Sequence, residues 1–343
     1  MSNPRKSIWR ALLDFIASLF GGEKTPTSSQ TSIPPDDPNE PAEVTVSKVL
    51  VIVYDPVMNE ATGQKLSAQQ GWQRIEDLAT GFMADILQNS YGMARYQVVE
   101  RIDVNEFPAK VDGFRYTPQT YLDVLRGVST PYMPQEVDYY AIINQFNLLN
   151  RVARSEIDEV WVFGFPHAGF YESSMAGPDA FWCNAPALKN TEASQRRFVI
   201  MGFSYERGVG EMLESFGHRV ESTLEKTFEH TYGDKNLWQR FILYEKVAPG
   251  KAAVGNIHFS PNSERDYDWN NSSTVRSECF DWLLNFPDFK GDIRSVTASD
   301  WGHGDIRAHH QWWLKHIPHV AGRQSGIHNN WWQYIIKPQN VGS

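Results

Sequence analysis

Residues 44–54 read Val-Thr-Val-Ser-Lys-Val-Leu-Val-Ile-Val-Tyr, a mostly apolar and β-branched run that ends at Asp55-Pro56. Such a run predicts a buried central strand, because a strand that is covered on both faces needs no polar alternation. Residues 66–87 then carry apolar side chains at helical spacing, and residues 96–104 alternate as a strand. Strand, helix and strand in this order predict a βαβ opening and an α/β (α+β) fold with a mixed sheet.

The chain changes character near residue 245. Before this point it continues in strands and helices, and after it the pattern breaks into short pieces rich in Asn, Asp, His and Trp. We therefore expect an α/β core over residues 44–245 and an irregular, aromatic-rich C-terminal lobe over residues 246–343, packed on the core. The remaining elements predicted in the core are a short helix near 121–125, a helix over 137–152, strands over 159–165 and 197–203, and a strong helix over 209–228.

The N-terminal segment differs from the rest. Apolar residues within 5–20 follow helical spacing, although Asp14 interrupts them, so residues 1–20 are predicted to form an amphipathic or signal-like helix. This helix would either contact a membrane surface peripherally or dock on its own protein. Residues 21–43 are nearly free of apolar side chains and predict a disordered linker. A tethered domain of this kind favours an extracellular or cell-surface location, with a cytoplasmic one left open.

Composition excludes several function classes. The net charge of −9 over 343 residues, without a basic stripe, argues against a nucleic-acid partner. The chain has no glycine-rich nucleotide-binding motif and no G-x-S-x-G nucleophile elbow. Cys183 and Cys279 are its two cysteines, and they form either one disulfide or two buried thiols.

The helix predicted over 209–228 carries the strongest chemical signal. Opposite its apolar stripe lie four glutamates and one histidine at steps of three and four, so they share one face. A carboxylate and an imidazole four residues apart can bind one divalent ion, and a further carboxylate can add an oxygen or orient the imidazole. An acidic face of this kind is also typical of an ordinary solvated helix surface. The five residues are Glu211, Glu214, His218, Glu221 and Glu225.

Residues 214–218, Glu-Ser-Phe-Gly-His, resemble the zinc helix of zincin-type metallopeptidases, whose pattern is H-E-x-x-H. The order of predicted strands and helices before this helix is similar as well. The resemblance implies a zincin-like core with zinc bound by His218, and with Glu214 in place of the first histidine ligand. Ser215 stands where the family has its glutamate base, and serine cannot accept a proton at neutral pH. Either Glu211 or Glu221 supplies the base, or peptide cleavage has been lost.

Later loops offer further ligands for the metal. His258, Asp266 or Asp268 could complete the coordination, and the Asp-x-Asp spacing also suits calcium. Ordinary turn chemistry explains the same loop equally well. His167 and Glu172 follow the strand over 159–165. If that strand lies at the sheet edge beside a cleft, His167 is a candidate acid or base and Glu172 a candidate substrate-binding residue.

Histidine and tryptophan are concentrated near the C-terminus. Trp301, His303, Asn330 and Trp331 could bind a glycan, because indole rings stack on sugars and amides bind hydroxyl groups. They suit a buried latch equally well. In the predicted helix around 309–316, the adjacent His309 and His310 should point to different faces.

Three functional hypotheses follow from these patterns. The first is a divalent-metal-binding, metallopeptidase-like hydrolase, with zinc as its expected ion and calcium as the alternative. The second is a non-catalytic module that binds carbohydrate or a surface. The third is a structural pseudoenzyme whose old cleft is filled by side chains. The expected partner is accordingly a peptide or a glycan.

Overall fold

The computed structural model describes residues 35–342, and this part of the chain has an α/β fold. The helix predicted over residues 1–20 and the linker predicted over residues 21–34 lie outside the described residues. Within residues 35–342, no helix is long and apolar enough to cross a membrane.

The described strands comprise a central sheet and three short two-stranded ribbons. In chain order they are β1 (Thr45–Tyr54), β2 (Val57–Asn59), β3 (Gln64–Lys65), β4 (Ala94–Val104), β5 (Glu159–Gly164), β6 (Ser173–Ala176), β7 (Phe198–Ser204), β8 (Val275–Ser277), β9 (Arg294–Val296), β10 (His319–Gln324) and β11 (Ile327–Asn330).

The central sheet is mixed, as the sequence predicted. Its strand order is β4-β1-β5-β7-β6, with β6 antiparallel to β7 and the other neighbouring pairs parallel. The strand predicted over 159–165 corresponds to β5, which pairs with β1 and β7 and is therefore interior. The condition stated for His167 and Glu172, that this strand forms the edge beside a cleft, is therefore not met. The edge strands are β4 and β6, and the sequence analysis predicted no strand at β6.

The described helices are α1 (Leu66–Gln70), α2 (Ile75–Asn89), α3 (Pro118–Leu125), α4 (Tyr139–Gln145), α5 (Leu148–Ala153), α6 (Val209–Thr227), α7 (Leu237–Phe241), α8 (Cys279–Asn285), α9 (Ile306–Lys315) and α10 (Trp332–Ile336). Two helices predicted as continuous are each divided. The helix over 66–87 breaks at Gly71, whose φ is 65°, and the helix over 137–152 breaks at Asn147, whose φ is 52°. Both residues adopt the left-handed conformation, which ends a right-handed helix.

Residues 36–43 are not a free linker. They lie along β10 and β11, where the Gly322 amide donates to the Glu40 carbonyl at 2.7 Å. The Arg323 side chain pairs with the Glu40 carboxylate at 2.8 Å, and Asn330 donates to the Glu43 carbonyl at 2.9 Å. These contacts are made by residue types that the composition alone marked as linker.

The C-terminal part is less irregular than predicted. It contributes α8, α9, α10 and four strands, and α9 and α10 both contact α6. The described residues 35–342 form one compact unit by their contacts, so residues 246–342 are not a separate body. Helix α6 is consequently enclosed by α2, α9 and α10 as well as by β6 and β7.

A buried ion pair fixes α6 against the sheet. Arg219 lies on α6 and Glu159 begins β5, and their side chains are 1% and 2% exposed. Arg219 Nη1 lies 2.7 Å from Glu159 Oε1. Its Nη2 donates to the Ile335 carbonyl of α10 at 2.8 Å, and Trp161 donates to Glu159 Oε1 at 2.8 Å. One guanidinium therefore joins α6, the sheet and α10.

Replacing Arg219 by methionine should destabilise the protein by about 3–5 kcal/mol, because Glu159 would keep a buried charge without its partner. Denaturant unfolding, followed by tryptophan fluorescence and circular dichroism, measures the loss. Arg207→Met is the matched control. Arg207 is half exposed, and its Nε lies 3.8 Å from the Glu206 carboxylate. Ion pairs of this exposed kind contribute about 0–1 kcal/mol to the free energy of unfolding. Equal losses in the two variants would contradict the structural role of Arg219.

Candidate metal centre

Helix α6 presents Glu214 and His218 on adjacent turns of one face. This face is covered by the loop formed by residues 255–271. Glu214 is buried, and the His218 side chain is 19% exposed. The alternative interpretation of this face as ordinary solvated surface is therefore wrong for these two residues.

His258 approaches from the covering loop. Its Nε2 lies 3.2 Å from Glu214 Oε1, and its ring centroid lies 4.7 Å from that of His218. Glu214, His218 and His258 each offer one ligand atom, and these atoms lie within 4.8 Å of one another. A carboxylate and two imidazoles at this spacing could hold a metal ion. The structure thus brings together three of the five residues that the sequence predicted as ligands.

Both imidazoles are held by a carboxylate at Nδ1. His218 Nδ1 lies 3.0 Å from Glu221 Oε2, and His258 Nδ1 lies 2.9 Å from Asp266 Oδ1. A hydrogen bond at Nδ1 leaves Nε2 as the nitrogen that can bind a metal, and it orients the ring. Asp266, predicted as a ligand, therefore contacts the far side of His258, and Glu221, predicted as a base, contacts the far side of His218.

The cluster holds protons where a cation would bind. Burial disfavours a charged His258, but Asp266 and Glu214 outweigh it and raise the His258 pKa to about 9. Burial likewise opposes charge on His218, yet Glu221 raises its pKa. For Glu214, burial is outweighed by hydrogen bonds from His258 and Tyr267, and the pKa falls to about 2. A divalent cation that displaced two protons would leave the net charge of the cluster unchanged.

The loop that carries His258 is shaped by its own polar groups. Asn256 Oδ1 accepts from the amides of His258 and Phe259, both at 3.0 Å. Glu221 Oε1 accepts from the Ile257 amide at 3.2 Å, which ties the loop to α6. These bonds fix the backbone on either side of His258, so its ring has a defined direction.

Gly217 permits this close approach. A Cβ at this position would overlap the side chain of Ile257. Glycine inside a helix costs about 1 kcal/mol relative to alanine. An internal helical glycine immediately before a candidate ligand was the available sequence signal, and the sequence analysis did not use it.

Two more residues lie beside Glu214 and His218, and the sequence analysis had predicted only one of them. The Tyr267 hydroxyl donates to Glu214 Oε1 at 2.6 Å, and sequence reasoning missed this residue. Glu172, predicted as a substrate-binding residue, directly precedes the edge strand β6. Its Oε2 lies 3.9 Å from His218 Nε2 and accepts a hydrogen bond from Asn184. Glu172 thus lies beside the candidate metal group, Glu214, His218 and His258, although the condition stated for it, an edge position of β5, is not met.

Three other predicted site residues have partners outside the candidate ligand group. Glu211 accepts from the Gly208 amide at 3.0 Å and caps the start of α6. Asp268 accepts from the Glu264 amide at 3.1 Å inside its own turn. The His167 carbonyl accepts from Lys110 at 2.6 Å, and the backbone of His167 is left-handed. None of the three belongs to the ligand group found among the described residues.

The tryptophan residues proposed for glycan binding are interior. Trp301 and Trp331 are each 1% exposed, and Trp301 donates to the Trp269 carbonyl at 2.9 Å. Asn330 is buried as well, whereas His303 is exposed. Buried rings cannot stack on a sugar, so these positions support the buried-latch interpretation instead.

The neighbouring histidines of α9 contact each other inside the protein. His309 and His310 are both buried, and their Nδ1 atoms lie 3.1 Å apart. Burial lowers the pKa of His309 to about 3. Cys183 and Cys279 are also buried, and both are free thiols instead of a disulfide.

Comparisons with known protein families, with characterised proteins and with solved structures gave no match to this chain. The description of the site therefore rests on this chain's own residues. Glu214, His218 and His258 could hold a metal ion. Glu221 and Asp266 orient the two imidazoles, and Glu172 lies beside them.

Replacing Asp266 by asparagine should weaken zinc binding by about tenfold or more, because the His258 ring loses the charged partner that orients it. Competition with a chromophoric chelator measures the affinity. Glu264→Gln is the control. It removes a carboxylate of the same loop other than the one that pairs with His258, and it should leave the zinc affinity unchanged. Equal affinities in the wild type and Asp266→Asn would show that this carboxylate does not support a metal ligand.

Replacing Gly217 by alanine should displace the loop at Ile257 and weaken metal binding, since overpacking of this kind costs about 1–3 kcal/mol. The double variant Gly217→Ala, Ile257→Ala removes the overlapping atoms and should recover the affinity. Zinc titration calorimetry on both variants, with thermal unfolding in parallel, gives the answer. Unchanged affinity in the single variant would contradict the close approach.

Proposed function

We propose that the protein is a metal-dependent hydrolase with one divalent ion, zinc, bound by Glu214, His218 and His258. One observation carries the proposal: three ligand atoms converge within 4.8 Å, and each imidazole is held at its other nitrogen by a carboxylate. Three protein ligands of nitrogen and oxygen type are the set typical of catalytic zinc. Calcium prefers oxygen ligands alone, so the two imidazoles argue against it.

Zinc in such a site lowers the pKa of water and polarises a carbonyl oxygen. The proton acceptor in this chain is Glu172, whose carboxylate is 38% exposed and lies on the Nε2 side of His218. The other candidates are engaged elsewhere. Ser215 donates to the Glu211 carbonyl at 3.1 Å, and Glu221 is bonded to His218. Asn184 holds Glu172 in place by a hydrogen bond.

The architecture supports a zincin-like hydrolase more than the alternatives. A mixed sheet whose strand β7 leads into α6 agrees with the arrangement implied by residues 214–218. The ligand set departs from the family at Glu214 and at the base, so peptides are a proposed substrate and not a necessary one. Burial of Trp301 and Trp331 disfavours the carbohydrate-binding alternative.

Elemental analysis of protein purified without chelator tests the metal centre. The wild type should contain about one equivalent of zinc, and His218→Ala should contain none, because it loses one of three ligands. His303→Ala removes an exposed histidine and is the control that keeps its metal. A wild type that stays free of metal at saturating zinc would refute the proposal.

Hydrolysis of simple amides and esters tests the chemistry. Activity should disappear on removal of the metal and return with zinc. Glu172→Gln should lower kcat by about 10²–10⁴-fold, which is the usual contribution of a general base, while its zinc content stays at the wild-type level. Full activity in this variant would remove Glu172 from the mechanism and leave the metal centre standing.

A further inference from the structure

The edge strand β6 lies next to the metal group, because Glu172 immediately precedes it. An open edge strand offers backbone amides and carbonyls to which an extended peptide can add as a further strand. Here the chain covers that edge itself. The Leu188 amide donates to the Met175 carbonyl at 2.9 Å, and Ser173 Oγ donates to the Cys183 carbonyl at 2.9 Å.

The covering segment, residues 177–191, is held at several points. The Gly177 amide donates to Thr191 Oγ1 at 2.8 Å, which closes the segment on itself. The Asn184 amide donates to Ser222 Oγ of α6 at 3.2 Å, and the Asn184 side chain donates to Glu172. The segment is therefore bonded to the edge strand, to the metal helix and to the proposed base. A peptide that added to β6 at Met175 would have to displace Leu188 and its neighbours in this segment.

The charge around the metal group sets a second restriction. Glu172, Glu214, Glu221 and Asp266 surround the two imidazoles, and none of these four forms an ion pair with a lysine or arginine of residues 35–342. A divalent cation compensates only two of the four negative charges. An anionic substrate would be repelled by the remainder.

Trp182 is an exposed aromatic residue of the covering segment. Its side chain is 52% exposed, and it lies two residues before Asn184, which contacts Glu172. Trp182 thus belongs to the segment that contacts Glu172, and an exposed indole offers an apolar face on which a substrate group can pack.

We propose that residues 177–191 restrict the metal centre to compact substrates that are neutral or cationic, and that Trp182 binds an aromatic or apolar group next to the scissile amide or ester. Extended polypeptides are excluded from β6. This inference rests on the proposed function, because it concerns the substrate of the same site.

Binding of hydroxamates to the cobalt(II)-loaded protein tests it, with the visible spectrum of the cobalt as the readout. The three probes are acetohydroxamate, N-acetylphenylalanine hydroxamate, and an acetylated hexapeptide ending in the same phenylalanine hydroxamate. The phenylalanine probe should bind about tenfold more tightly than acetohydroxamate, because its ring leaves water. The hexapeptide should bind within about threefold of it, since no strand addition is possible.

Trp182→Ala should abolish the advantage of the phenylalanine probe and leave acetohydroxamate binding unchanged. Tyr232→Ala is the control, because it removes another exposed aromatic side chain outside the covering segment. The inference is overturned if Trp182→Ala still binds the phenylalanine probe about tenfold more tightly than acetohydroxamate, or if the hexapeptide binds more than about threefold more tightly than the phenylalanine probe. In either case a normal cobalt spectrum would show that the metal centre itself is present. A protein that binds no cobalt overturns the proposed function and this inference together.

Discussion

The buried ion pair between Arg219 and Glu159 is the constraint on which the site depends. Two charges removed from water cost several kcal/mol each unless their geometry is satisfied, so the pair holds α6 at one rotation about its axis. Arg219 adjoins His218 in the chain, and fixing one side of the helix directs the other. The face that carries Glu214 and His218 is thereby turned towards the loop of His258. The same guanidinium also donates a hydrogen bond to the Ile335 carbonyl, which connects α10 to this arrangement.

Several carboxylates surround His218 and His258, and their negative charge favours protonation of both imidazole rings. The raised pKa values of His218 and His258 show that the surrounding carboxylates already favour a cation at each ring. A metal ion bound there would displace those protons, so its binding would be coupled to pH and to the loop that places His258. The same carboxylates that orient the rings would therefore influence both the affinity for a metal ion and the charge of a molecule that can approach it.

Local patterns predicted most of the fold, and the failures have physical causes. The apolar runs of β1, β5 and β7 and the periodicity of α6 are strong signals. A strand buried on both faces needs apolar residues throughout, and a helix buried along one stripe needs them at helical spacing. Strand β6 is four residues long and half serine, so its composition resembles a loop. Residues 36–43 resemble a linker for the same reason, and their order comes from partners almost 300 positions away.

The sequence by itself determined the α/β class, the position of α6 and the pairing of Glu214 with His218, because helical geometry places residues four apart on one face whatever surrounds them. It also restricted the candidate third ligand to His258, Asp266 or Asp268. Only the tertiary structure selected His258, made Asp266 its partner and brought Glu172 to His218. These choices depend on contacts between distant segments, such as Ile257 against Gly217 and Asn184 against Glu172. No local pattern encodes them.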